Sequence, residues 1–281
     1  AVYDWGKREM TCPCNCGKAF GEVSDEELKA MTVNLTPEQS RSEFAKYYFR
    51  PLELPDEDQT AAIMGPPLTP EECILPENAG RLLLKADGRQ NHNAYGVLPN
   101  GVGYASILIR QTGINDEMIR KYREEFAHDP YLFYKVWFPG SHLLHYTNGA
   151  VEDFGYGMMN IGFSLDEFSL EHIGLTEDEI KREDPGCLNI LASTVEAHYL
   201  YDPGRTEYIT MLQYTREVEN GRELYIKFWL GLKLEYGGKY AIKDQPDKEY
   251  TEFVARCTMN HCIKEYMNQL GHIKAFWEET K

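Results

Sequence analysis

Apolar and polar positions divide the chain into an irregular front and a more regular remainder. Up to about residue 75 the pattern is helical and interrupted. Ser24-Asp25-Glu26-Glu27 reads as a capping box, and Thr36-Pro37-Glu38-Gln39 as a second helix start leading into Arg41–Phe49, where Phe44, Tyr47 and Tyr48 share a face. Pro51, Pro55, Pro66, Pro67, Pro70 and Pro76 then break the chain repeatedly. From Ala94 the character changes. Gly101–Arg110 predicts a strand after the turn Pro99-Asn100-Gly101, and Asn115–Ala127 a short helix. Tyr131–Phe138, dense in aromatic and β-branched residues, predicts another strand. Leu188–Tyr201, Glu207–Thr215 and Arg222–Leu234 are separated by the turn signals Asp202-Pro203-Gly204 and Glu219-Asn220-Gly221, which predicts an antiparallel meander. A single helical period then runs from Lys248 to about Glu278.

The predicted architecture is α+β: an antiparallel sheet followed by a long C-terminal helix over residues 94–281. Residues 1–93 form a smaller, mainly helical region expected to act as a lid or a subunit contact. A curved sheet closing on a long helix leaves a cavity between them, a natural small-molecule site.

Composition narrows the function. The net charge is −16, from 29 Lys and Arg against 45 Asp and Glu, and no basic patch is visible. That argues against nucleic acid and against anionic membrane surfaces. No apolar run approaches the roughly 20 residues of a membrane span, and Ala1–Gly21 lacks an export pattern. Seven cysteines is an odd number, so reduced thiols and a cytoplasmic location are expected. Cys12-Pro13-Cys14-Asn15-Cys16 lacks the usual two-residue spacing and a fourth ligand, and reads as a flexible or packed thiol segment.

The most informative chemistry lies on the last helix. His261 and Glu265 stand four residues apart, so both project from one face. That spacing suits two ligands of one zinc ion, and equally an ordinary buried His–Glu hydrogen bond. Phe253, Val254 and Cys257 lie on or beside the same side, which turns the pair inward. Tyr134–His142 places an aromatic segment before a histidine, and Ser169–Gly174 carries Glu171 and His172. Together these segments supply two histidines and two carboxylates, a nitrogen and oxygen set that zinc accepts. Val151-Glu152-Asp153-Phe154-Gly155 is a rival carboxylate segment to Glu171.

Tyr95–Tyr104, the helix with Asp116-Glu117-Met118, Tyr134–His142, Leu170–Gly174, Lys227–Gly231 and His261/Glu265 form an ordered set from Ala94 to the C-terminus. In that order they resemble the phloretin hydrolase and diacetylphloroglucinol hydrolase family. The resemblance implies a helix-grip barrel like the Bet v 1 allergens and a zinc-dependent hydrolase that removes an acyl group from a phloroglucinol-type aryl ketone. It also implies the metal ligands His142, Glu171, His261 and Glu265, with Glu171 preferred over Glu152 as the closer match. Tyr134 matches a family tyrosine that hydrogen-bonds the substrate phenol. There are departures. Gln213 stands where the family has a histidine used for proton transfer, and Phe228 where a tyrosine is sometimes seen. Gln213 cannot shuttle a proton, so His198, His145 or Tyr214 is expected to take over. His198 shares a strand face with Ala192 and Thr194, small residues that leave room for a ligand. The expected partners are a small aromatic ketone and a second copy of the chain, a dimer. The rival readings are a non-catalytic helix-grip carrier of a polyphenolic ligand and a zinc hydrolase for another β-diketone-like substrate.

Overall fold

The computed structural model describes residues 2–4, 9–11, 34–85, 93–146, 149–164, 170–200, 202–235, 239–242 and 247–280. The capping box at Ser24–Glu27 and the cysteines Cys12, Cys14 and Cys16 lie outside the described residues. Strands β1 (Val2–Asp4) and β2 (Glu9–Thr11) pair as a small antiparallel unit. The predicted helix start at Thr36 is present: its hydroxyl accepts from the Gln39 N–H at 3.1 Å, and the Gln39 side chain accepts from the Thr36 N–H at 3.0 Å. The helix does not run on to Phe49. A short 3-10 turn, Gln39–Arg41, gives way at Ser42, whose hydroxyl takes the Phe44 N–H, and only Ala45–Tyr48 (α1) resumes. Helices α2 (Glu57–Met64) and α3 (Pro76–Leu84) follow.

An eight-stranded antiparallel sheet organises the rest. Its strands are β3 (Ala94–Val97), β4 (Gly103–Thr112), β5 (His142–Tyr146), β6 (Gly149–Asp153), β7 (Met158–Ser164), β8 (Cys187–Tyr199), β9 (Asp202–Val218) and β10 (Gly221–Leu230). The spatial order is β3-β4-β10-β9-β8-β7-β6-β5. After β4 the chain crosses to the far edge through α4 (Asp116–Phe126) and α5 (Pro130–Trp137), then returns strand by strand until β10 pairs with β4. A 3-10 turn (Leu170–Ile173), α6 (Glu177–Glu183) and a separate hairpin, β11 (Leu232–Glu235) with β12 (Lys239–Ile242), complete the connections. The chain closes with α7 (Lys248–Glu279), capped by the Asp247 side chain. The result is the predicted α+β helix-grip arrangement. No helix among the described residues is long and apolar enough to cross a membrane.

One predicted strand is a helix. Tyr131–Phe138 falls in α5, where Asp129 accepts from the Leu132 N–H at 2.9 Å and Pro130 occupies the first turn. Asp-Pro is a helix-start signal, and it outweighs the strand preference of the aromatic residues. The turn predicted at Asp202-Pro203-Gly204 is also displaced, since Tyr199 already pairs with Asp202 and those residues open β9.

Strand alternation gives the sheet two packed faces. Ala105, Ile107, Ile226, Phe228, Ile209 and Val195 face α7. Tyr104, Leu108, Trp229, Leu212, Tyr214 and Ala192 face the other way, under Leu83 of α3 and Ile173 and Leu175. Gly80 and Gly174 allow that outer layer to close: a Cβ on Gly80 would meet Leu175 at 2.6 Å, and Gly174 has φ +69°. Helix α7 is buried on several sides, including Val254, Met259, Cys262, Ile263, Leu270 and Phe276, as a gripped helix must be.

Candidate metal centre and cavity

The β5–β6 hairpin and α7 together build the site. His142 opens β5 and pairs across the hairpin with Glu152. His261 and Glu265 come down from α7. The His142 Nε2 lies 2.9 Å from the Glu265 Oε2, and the His261 Nε2 lies 3.4 Å from the Glu152 Oε2 and 3.7 Å from the Glu265 Oε2. Ligand atoms of His142, His261 and Glu265 lie within 4.8 Å of one another, so these three can hold a metal ion. Both histidines are buried, as is Glu152.

Neighbours fix the ring tautomers. The His142 Nδ1 is 3.2 Å from the Tyr134 carbonyl, which can only accept, so Nδ1 carries the proton. The His261 Nδ1 is 3.1 Å from the Ser141 hydroxyl, whose own proton goes to the Asp153 carbonyl. In the neutral rings, each Nε2 lone pair therefore points at carboxylate oxygens. Acceptors facing acceptors in a buried place need a cation or a proton between them. A divalent ion of the nitrogen- and oxygen-loving kind would satisfy the converging His142, His261 and Glu265, with Glu152 beside His261, and the hydrogen-bonded outer atoms are the supports that metal-ligating histidines require.

Electrostatics point the same way. Burial disfavours a charged His261, but Glu152 and Glu265 outweigh it and hold the imidazole above its ordinary value. Burial pushes the Glu152 carboxyl up, with His261 opposing. The rings are also clamped: Tyr134 stacks on His142 at 4.1 Å, and Phe154 on His261 at 4.3 Å. Helix α5 is tied to α7 by the Trp137 indole N–H, which donates to the Glu265 carbonyl at 3.1 Å. Asn268 in turn donates to the Trp137 carbonyl at 2.7 Å.

A cavity of about 130 Å³ opens over this cluster. Tyr134, Gln213 and Phe228 line it, together with Trp137, Cys262 and Tyr266. The Gln213 amide donates to the Tyr266 hydroxyl at 2.9 Å.

Other expected site residues lie elsewhere. Glu171 is carried by the 3-10 turn in the outer layer, on the far side of the sheet, and its side chain is outside the described residues. Glu152, the rival carboxylate, is the one that lies beside His261. His198 shares a face with Ala192 and Thr194 as expected, but that face is the outer one. Its ring bonds Glu196 at 3.0 Å and Thr206 at 3.2 Å. Tyr214 is also on the outer face, where its hydroxyl donates to Asp184 beside Arg216. The His145 side chain lies outside the described residues. Sequence reasoning missed Ser141, Phe154 and Tyr266. Only Tyr266 carried a signal, being next to Glu265 and one turn beyond Cys262 on the same helix.

Fold and site thus define a helix-grip protein with a candidate metal centre under an aromatic cavity. Residues 143–273 match the family model described as the DAPG hydrolase PhiG domain, a stretch that contains Glu152, His261 and Glu265 and begins one residue after His142. The phloretin hydrolase of Eubacterium ramulus is 21% identical over 258 residues, covering 89% of this chain and 94% of that protein. The chain is thus similar to the phloretin and DAPG hydrolases. Because 89% of the chain is covered, the likeness reaches well ahead of Ala94, where the resemblance read from the sequence begins.

Proposed function

We propose that this protein is a zinc-dependent hydrolase that cleaves the carbon–carbon bond between a polyphenol ring and an acyl group, as in an acylphloroglucinol. The observation that carries the reading is the convergence of two tautomer-fixed imidazoles and two carboxylates, His142, His261, Glu152 and Glu265, beneath an aromatic cavity. The similarity to phloretin and DAPG hydrolases supports the choice of substrate class. When bound by these four residues, zinc would polarise the acyl carbonyl and lower the pKa of a water toward about 7.

The overall reaction adds water across one bond. The hydroxyl goes to the acyl carbon to give a carboxylic acid, and the proton goes to the ring carbon to give a phloroglucinol. Phenol oxygens on the ring accept the electron pair of the breaking bond. Tyr134, Trp137 and Phe228 orient the ring by their faces and exclude water. Burial holds the Tyr266 phenol well above its ordinary pKa, so it stays protonated, and with the Gln213 amide donating to its oxygen, its own proton is directed to a substrate oxygen. Tyr266 then replaces His198 and Tyr214 as the proton-bearing group on the wall. The test is to incubate the zinc-loaded protein with a panel of acylphloroglucinols. Equal amounts of phloroglucinol and acid should appear. Tight binding of the panel with no release of acid would instead identify a carrier.

A further inference from the structure

Lys135 carries a buried ammonium that the chemistry described above does not use. Its side chain is 5% exposed, and its Nζ donates to the Asn34 carbonyl, 101 residues away, at 2.9 Å. A buried charge is costly unless it is hydrogen-bonded, so this bond decides where the lysine sits. The acceptor is held as well. Asn34 stands just ahead of the capped turn in which Thr36 and Gln39 exchange hydrogen bonds at 3.0 and 3.1 Å.

The helix that carries Lys135 also backs the metal ligands. At 3.6 residues per turn, Tyr134 and Trp137 share one face of α5, and Lys135 points about 100° away from Tyr134. The first face supports both halves of the centre. The Tyr134 carbonyl takes the His142 Nδ1 proton at 3.2 Å, and the Trp137 indole donates to the Glu265 carbonyl at 3.1 Å. Just beyond the helix, the Phe138 carbonyl accepts the His142 N–H at 2.9 Å. The other side meets the N-terminal segment. Besides the Lys135–Asn34 bond, a row of rings runs from that segment to a ligand: Phe44 to Phe126 at 4.4 Å, Phe126 to Phe133 at 5.3 Å, Phe133 to Trp137 at 6.3 Å and Trp137 to His142 at 5.3 Å. A helix of eight residues has little stability of its own, so the position of α5 is set by what holds each side.

We propose that Lys135 is a positioning residue for the metal centre. It pins α5 to the N-terminal segment, and α5 in turn keeps the Tyr134 carbonyl on His142 and the Trp137 indole on Glu265. Residues 34–48 thereby tune metal affinity from outside the centre.

This inference rests on the metal centre of the hydrolase reading, so its test follows the metal and a proton instead of turnover. Lys135→Met keeps the length of the stem and removes the donor. Tyr47→Phe is the comparison, since it breaks the 2.8 Å bond to Glu279, the tie of the same segment to α7, and keeps the ring. Zinc affinity of chelator-stripped protein should fall about tenfold in Lys135→Met, the lower end for loss of a ligand's outer support, and stay within twofold in Tyr47→Phe. In metal-free protein with isotope-labelled histidine, the His142 Nδ1 proton should exchange with water at least tenfold faster in Lys135→Met, and at the wild-type rate in Tyr47→Phe. Lys135→Gln, one bond shorter, should match Lys135→Met in both readouts and carries the test if Lys135→Met fails to fold. A lysine that merely added stability would shift the unfolding midpoint and move neither readout. Either readout unchanged in the Lys135 variants overturns the proposal. So do equal losses in Tyr47→Phe, which would mark a general loosening of the segment. A wild type that binds no zinc refutes the metal centre, and proton exchange then decides the pin alone. Failure to release acid from any acylphloroglucinol refutes the hydrolase reading and leaves both readouts standing.

Discussion

His142 and Glu152 face one another across the β5–β6 hairpin, and α7 drops His261 and Glu265 onto that pair. A hairpin register and a helical i, i+4 spacing are both short-range, so each half of the cluster is set locally. Only the docking of α7 is long-range.

The first prediction follows from that register. Glu152→Gln should lower zinc affinity at least tenfold and bring turnover close to background, whereas Glu171→Gln should leave both within about twofold. Chelator competition and acid release measure the two effects. The opposite ranking would place the outer-layer turn at the site.

This glutamate also shows what was legible in the sequence. The meander, α4 and the long helix follow from periodicity and turn residues, and the inward face of His261 and Glu265 from their spacing. The partner of His142 did not follow, because Glu171 lies in the closer motif match and motif likeness says nothing of the hairpin register that sets Glu152 opposite His142. The strand expected over Tyr131–Phe138 misses the Asp129-Pro130 cap, the local signal that makes this segment a helix. His198 failed for a different reason. Alternation assigns residues to a common face, and Ala192 does share that face, but nothing in a strand's own pattern says which face meets α7 when both are buried.

Ser141 tests the tautomer argument. Ser141→Ala removes the acceptor for the His261 Nδ1 proton and should weaken zinc binding about 10- to 100-fold. The fold should lose no more than about 3 kcal/mol, the scale of the two hydrogen bonds that the hydroxyl makes. Urea unfolding of the metal-free protein and zinc titration separate the two effects. Unchanged affinity would show that the ring is held by Phe154 and Phe138 alone.

Lys227 is buried in the outer layer, bonded to Ser106 at 2.8 Å and Tyr104 at 3.1 Å, with no carboxylate partner among the described residues. Burial lowers its pKa from 10.5 to about 8. Between those values the unfolded chain holds more protons than the folded one, so this residue's contribution to stability rises with pH across that window. Lys227→Met removes the effect. Its stability advantage over wild type should therefore shrink by about 3 kcal/mol as pH rises from below 8 to 10.5. A pH-independent gap between the two unfolding curves would contradict this.

His272 ties the N-terminal segment to α7, with its ring 5.8 Å from that of Tyr47, which also donates to Glu279 at 2.8 Å. Burial first, and then the Arg50 charge, lower its pKa to about 4. Its contribution is fully present above the ordinary 6.5 and is lost as pH falls toward 4, by up to about 3 kcal/mol. Mild acid should therefore expose residues 34–50 to proteolysis, and His272→Leu should blunt that sensitivity. Equal cleavage of both proteins at each pH would rule His272 out as the cause.

The central claim is that His142, Glu152, His261 and Glu265 hold one zinc ion on which acyl cleavage depends. Its most direct measurement is a zinc titration of chelator-stripped protein, with acid release from an acylphloroglucinol followed at each addition. Activity should rise from background in proportion to metal and level off at one equivalent per chain, and His261→Ala should show no such rise. Full turnover by the stripped protein, or one equivalent bound with no acid released from any acylphloroglucinol, would contradict the account.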